Sequence, residues 1–194
     1  MKITIYNFKG GTGKTSIALN LALTMNYGII SNDIYTPFDK ILDKKKFIQL
    51  KPDQDLPDLP PEYDIIFDLG GHIDPGAISA VQQSDWIIVP VTGDFIDVQV
   101  TINCISEIKA YNDRIIVTVN RTAKGEYEAI RKGIMRFFSY PVFEIRKSKA
   151  LPNIFREKKS VHDMVAEGGL KKYHYESVAK QFDAIIRYMK GEKL

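Results

Sequence analysis

Among its 194 residues the chain has one cysteine, Cys104. A single thiol closes no intramolecular disulfide, and it builds no Cys-rich metal or iron–sulfur cage within one chain. No apolar run approaches the ~18 residues of a membrane span. The start, Met1-Lys2-Ile3-Thr4-Ile5, reads as a short strand and not as a signal peptide. A reducing cytoplasm is therefore the expected setting. What is present is ordinary for a soluble globular protein, with 44% apolar and 26% charged residues. The length suits one domain over 1–194, able to bury about 70% of its unfolded surface without staples.

The net charge of +3 conceals an asymmetry. Residues 1–97 hold 8 Lys/Arg against 13 Asp/Glu, whereas residues 98–194 hold 19 against 11. Such a split fits either solvated faces or a surface that meets a polyanion in the second half.

Short apolar runs alternate with longer stretches of helical spacing. Strands are expected over 2–8, 27–31, 63–68, 86–91, 114–119 and 142–145. Helices are expected over 15–25, 76–83, 98–111, 127–138 and 174–189. In the last of these Val178, Phe182, Ile185 and Met189 share one face. Alternating strand–helix units imply an α/β fold: an open, mostly parallel twisted sheet with helices on both faces. Residues 51–61, with four prolines and three aspartates, read as an irregular connection. Residues 148–169 form a basic, mixed segment with a helix start near Ser160.

Between the first strand and the first helix lies Lys9-Gly10-Gly11-Thr12-Gly13-Lys14-Thr15, followed by Ser16. It meets the phosphate-loop pattern G-x-x-x-x-G-K-[ST] only in part, because Phe8 stands where the first glycine belongs. The physics survives that departure. Glycines let backbone N–H groups turn inward around a phosphate, and the helix N-terminus adds partial positive charge. Lys14 can reach the β- and γ-phosphates, and the Thr15 hydroxyl can ligate Mg²⁺.

With Lys9 at its head, the loop resembles the deviant Walker A motif K-G-G-x-G-K-T of the ParA/MinD family of P-loop ATPases. The resemblance implies that Lys9 crosses an ATP-sandwich homodimer to the phosphates held by the partner subunit. It extends along most of the chain. Residues 63–68, Tyr-Asp-Ile-Ile-Phe-Asp, are similar to the family's Walker B strand, which ends here in Asp68 as a Mg²⁺-shell acid. Gly70-Gly71 would sense the γ-phosphate. Residues 84–91 and 117–121 are similar to two further family strands, and the second would place Asn120 and Arg121 at the nucleotide, with Asn120 on adenine. Residues 149–163 are similar to a late family segment. No helix-turn-helix precedes the first strand, as in the short plasmid-type ParA proteins.

The family ends its second strand with D-x-D-P-Q, whereas this chain has Ser31-Asn32-Asp33-Ile34-Tyr35-Thr36-Pro37. Asp33 matches either the first acid, a Mg²⁺-shell residue, with Tyr35 in place of the second, or the second acid, with Ser31 in place of the first. Either way hydrolysis should be slow, because phosphoryl transfer depends on positioned water and neutralised charge. Lys9, Lys14, Asp33 and Asp68 are the residues expected to carry the chemistry, with ATP and Mg²⁺ as cofactors. Residues 32–36 also resemble a stretch of the nickel metallochaperone GTPases. Those proteins read guanine with an acid that is absent after Asn120, and their metal motif is absent as well: between the loop and the third expected strand end no Cys/His cluster occurs, and His72 just beyond stands alone.

The resemblance implies ATP-dependent, non-specific DNA binding, nucleoid association, and a ParB-like or small centromere-binding partner that stimulates hydrolysis. Arg131, Lys132 and Arg136, then Arg146, Lys147 and Lys149, then Arg156, Lys158 and Lys159 are the candidate phosphate contacts. A MinD-like membrane-cycling regulator and a metabolic or maturation enzyme of the same fold are the competing readings. The first would need an amphipathic tail, so no stable membrane association is expected.

Overall fold

The computed structural model describes residues 1–51, 54, 56–71 and 75–193; His72 and part of the proline-rich connection lie outside the described residues. Seven strands form one sheet in the order β3-β2-β4-β1-β5-β6-β7. They are β1 (Lys2–Ile5), β2 (Gly28–Ser31), β3 (Phe47–Gln49), β4 (Ile65–Asp68), β5 (Trp86–Val91), β6 (Ile115–Thr122) and β7 (Val142–Arg146). Every pairing is parallel. The helices are α1 (Lys14–Met25), α2 (Pro75–Gln82), α3 (Phe95–Ile108), α4 (Tyr127–Met135), α5 (Ala150–Glu157), α6 (Val161–Ala166) and α7 (Gly169–Met189). Among the described residues no helix is long and apolar enough to cross a membrane.

The period of two along each strand divides the core between the faces. Ile3, Ile5, Ile66, Ile88 and Ile116 pack with α1, α5, α6 and α7. Phe67, Ile87, Val89, Val117 and Val119 pack with α2, α3 and α4. Burial on both sides explains why the central strands read as near-continuous Ile/Val runs.

The departures from the sequence reading have local causes. The first strand stops at Ile5, because Asn7 and Phe8 already turn into the phosphate loop. The edge strand β3 goes unforeseen because three residues, Phe-Ile-Gln, give too short a pattern. Helix α3 begins at Phe95 and not at 98, because the Asp94 side chain accepts from the Ile96 N–H and caps it. Residues 148–169 make two helices. Lys158 adopts a left-handed backbone that ends α5, and Ser160 caps α6 through a reciprocal box with Asp163. The closing helix starts at Gly169, five residues earlier than its apolar face suggests.

Candidate functional site

Strand β1 lies centrally, and the chain moves outward from it first toward β2 and later toward β5. Loops leaving the carboxyl end of a parallel sheet at such a reversal form a crevice. Here the loop after β1 meets those after β2 and β4 and the last residues of β6. Gly10, Gly11, Gly13, Lys14, Thr15, Ser16, Asp33, Asp68, Gly70, Gly71 and Arg121 line a cleft of about 360 Å³.

Gly11 and Gly13 sit at φ +79° and +92°, conformations that side chains rarely adopt. Asn120, fully buried at the end of β6, supports the loop: its amide nitrogen donates to the Thr12 carbonyl at 2.8 Å. The residue after it, Arg121, has a left-handed backbone and donates to the Gly11 carbonyl at 3.2 Å. Lys14 Nζ donates to the carbonyls of Asn7 and Lys9 at 3.1 and 3.0 Å. Burial lowers the Lys14 pKa, while Asp68 and Asp33 oppose that shift.

Asp68 ends β4 in register with Ser31 on β2 and Ile5 on β1. Its side chain is buried, and neither carboxylate oxygen completes a hydrogen bond among the described residues. Burial pushes its pKa up to about 7; the Thr15 hydroxyl, close without meeting hydrogen-bond geometry, and the Lys14 ammonium pull it down, and Asp33 pushes it up. A buried carboxylate with two unmatched oxygens beside a hydroxyl and a second acid is a hard-oxygen donor set that fits a magnesium ion. Asp33 lies half-buried past the end of β2. Its carboxylate accepts from the Tyr35 N–H at 3.0 Å, and its own N–H donates to Ser31 Oγ at 3.1 Å. Tyr35 is 89% exposed, and Ser31 is buried at the strand end.

Lys9 stands at the cleft's rim with its ammonium 3.6 Å from Asp97 Oδ1 on α3. The loop after β4 is fixed from two sides. Asn32 Oδ1 accepts from the Gly70 N–H at 2.6 Å, and Gly71 passes so near Phe8 that a Cβ there would overlap its carbonyl. Asn7, Asn32 and Asp97 escaped the sequence reading. Asn7 carried the one available signal, an amide among the apolar residues before the loop, and the structure buries it fully. Cys104 is buried, and burial pushes its thiol up to about 12, which leaves it unreactive.

The nine candidate DNA contacts fall on separate elements. Arg131 and Lys132 lie on α4 and Arg136 caps its end; Arg146, Lys147 and Lys149 lie at the end of β7 and the turn after it; Arg156, Lys158 and Lys159 lie at the end of α5. Four are paired, Arg131 with Glu128, Arg146 with Glu144, Arg156 with Glu157 and Lys159 with Glu167. Lys132, Arg136, Lys147, Lys149 and Lys158 are exposed and form no ion pair among the described residues.

No protein-family model matches the sequence, and no curated protein matches it. Solved structures do. A McdA variant from Cyanothece in complex with ATP is 12% identical at a TM-score of 0.70, over 100% of this chain and 97% of that one. The septum site-determining protein MinD from Pyrococcus horikoshii, complexed with Mg-ADP, is 15% identical at 0.62, over 97% and 98%. A ParA family ATPase from Chlorobium tepidum is 18% identical at 0.61, over 93% and 98%. The chain thus has the P-loop fold that the ParA/MinD ATPases share.

Proposed function

We propose that this chain is a ParA/MinD-type, Mg²⁺-dependent ATPase that forms an ATP-sandwich homodimer and acts in DNA partition. The observation that carries the reading is the convergence of Lys14, Thr15, Asp33 and the unmatched Asp68 carboxylate on one cleft, with Lys9 at its rim. The ATP and Mg-ADP held by two of the structural relatives agree with that donor set. Backbone N–H groups of residues 10–16 and Lys14 would hold the phosphates, while Thr15, Asp68 and Asp33 would hold the Mg²⁺ shell. Arg121, on the cleft lining, would face the rest of the nucleotide, whereas Asn120, expected on adenine, is fully buried and would brace the loop from behind. Bound Mg²⁺ supplies charge neutralisation at the phosphates. Lys9 would reach the phosphates of the partner subunit, which ties dimerisation to the charge of the triphosphate.

The dimer would bind DNA without base readout through the exposed Lys132, Arg136, Lys147, Lys149 and Lys158, and a ParB-like partner would stimulate slow hydrolysis at the nucleoid. Two measurements test this. Sedimentation velocity with Mg²⁺ and a non-hydrolysable triphosphate should show dimers that Lys9→Ala abolishes. DNA binding should be stronger with triphosphate than with ADP and should fall steeply with salt. A wild-type protein that binds the triphosphate and stays monomeric refutes the dimer. DNA affinity independent of both nucleotide and salt refutes the partition role.

A further inference from the structure

We infer that Asp97 is an autoinhibitory counter-ion that parks Lys9 within its own subunit and so raises the threshold for dimerisation. The inference rests on the proposed sandwich dimer and adds its regulation. Lys9 Nζ lies 3.6 Å from Asp97 Oδ1, and the Asp97 side chain is only 12% exposed. The carboxylate is held in place from behind, where the Thr92 hydroxyl donates to Oδ2. The Asp97 main-chain carbonyl accepts from Thr101 Oγ1 at 2.7 Å. Thr101 Oγ1 also accepts from the Asn7 amide at 2.8 Å, and Asn7 Oδ1 accepts the Lys9 N–H at 3.0 Å. Asn7 also donates to the Pro90 carbonyl at 2.7 Å. One network from the end of β1, past the end of β5, to α3 therefore fixes both the backbone and the ammonium of Lys9.

The consequence follows from population arithmetic. In the free subunit Lys9 divides its time between Asp97 and solvent. Crossing to a neighbour's phosphates requires leaving Asp97, so dimerisation is scaled down by the fraction of each protomer in which the lysine is free. A pair of this partial exposure favours the parked state by about two to one, which leaves about a third of each lysine free, and a symmetric dimer needs two free lysines, so the total effect is about tenfold on the dimer dissociation constant. Because the parked state opposes crossing whichever nucleotide is bound, a weakly attracting diphosphate leaves the protein monomeric, and a triphosphate overcomes the parking.

The test is a double-mutant cycle read by sedimentation velocity across a protein concentration series, with Mg²⁺ and a non-hydrolysable ATP analogue. Asp97→Asn keeps the shape and the acceptor for Thr92 while removing the charge. It should tighten the dimer about tenfold with Lys9 present, and not at all in a Lys9→Ala background. Thr92→Val, which leaves the carboxylate charged but unheld, should shift the dimer in the same direction by less, and it answers the question if Asp97→Asn fails to fold. An Asp97→Asn dimer that is unchanged or weaker, or a tightening that persists without Lys9, overturns the inference while wild-type dimerisation leaves the proposed function standing. A wild-type protein that binds the analogue as a monomer overturns both.

Discussion

Replacing Asp68 with asparagine should stabilise the metal-free protein, and by clearly more at alkaline pH than in mild acid. Asp68 has a pKa raised from 3.8 to about 7, because burial strips water from a carboxylate whose oxygens find no hydrogen-bond partner among the described residues. In the native chain the carboxyl keeps its proton across the window from about 4 to 7, whereas the unfolded chain has released it. The folded state binds more protons there, so stability falls as pH rises through that window and is constant above it. At 1.36 kcal/mol per pH unit, the difference bounds the penalty near about 4 kcal/mol at pH 8. That bound already includes the attraction to Lys14; because the asparagine amide must itself be buried, the expected gain is about 1–3 kcal/mol at pH 8 and about a third of that at pH 5. Urea denaturation in EDTA at pH 5 and pH 8 measures it, with the variant-minus-wild-type difference cancelling the other titrations. Glu167, held down at about 2 by Lys159 and Lys171, loses its contribution only below this range as pH falls. A variant that is less stable at pH 8, or equally stabilised at both pH values, refutes the reasoning.

Two further substitutions probe the scaffold around the site. Gly71→Ala puts a Cβ against the Phe8 carbonyl, 3.1 Å from its carbon, and main chain on both sides cannot yield cheaply; it should lower stability by about 1–3 kcal/mol, read from the urea midpoint, and weaken triphosphate binding in calorimetry, because the displaced Phe8 leads into the phosphate loop. Phe182→Ala removes a fully buried ring from the core under α7 and should cost about 3–5 kcal/mol in urea denaturation, a loss that a surface role for that helix would not produce.

How much of this was legible depended on how local each determinant is. The phosphate loop could be read because strand, glycines, lysine and hydroxyl follow one another in a few residues and their chemistry dictates that spacing, and Asp68 because it closes a short apolar run of its own, Ile65-Ile66-Phe67. The sheet was legible because Ile87–Val91 and Ile115–Val119 carry the apolar density that burial on both faces demands. Asp97 was not, because its meaning comes from α3 beginning where Asp94 caps it, which brings residue 97 to a lysine almost ninety positions earlier. Asn32 was hidden likewise: its bond to Gly70 exists only because β2 and β4 are neighbours, a pairing that chain order does not announce. The basic half was read correctly as charge but too simply as surface, since acids contributed by the same segments neutralise four of the nine candidates.

The electrostatics of the cleft also predict how metal and nucleotide cooperate. Its three cations are already engaged: Lys14 donates to the carbonyls of Asn7 and Lys9, Arg121 donates to that of Gly11, and Lys9 faces Asp97. A nucleotide entering alone exchanges those bonds for phosphate bonds, and it brings anionic charge toward Asp68 and Asp33. Exchange of this kind gains little net free energy. A divalent cation changes the balance, because it pairs with the buried Asp68 carboxylate and with the phosphates at once, and it removes the desolvation penalty that holds the Asp68 proton. Calorimetry of ATP binding at pH 8 with Mg²⁺ or with EDTA should therefore show at least a tenfold loss of affinity without the metal, about 1.4 kcal/mol or more. The same loss should be much smaller in Asp68→Asn, whose amide binds the metal poorly. Equal metal dependence in wild type and Asp68→Asn would place the metal on the nucleotide alone and remove Asp68 from the shell.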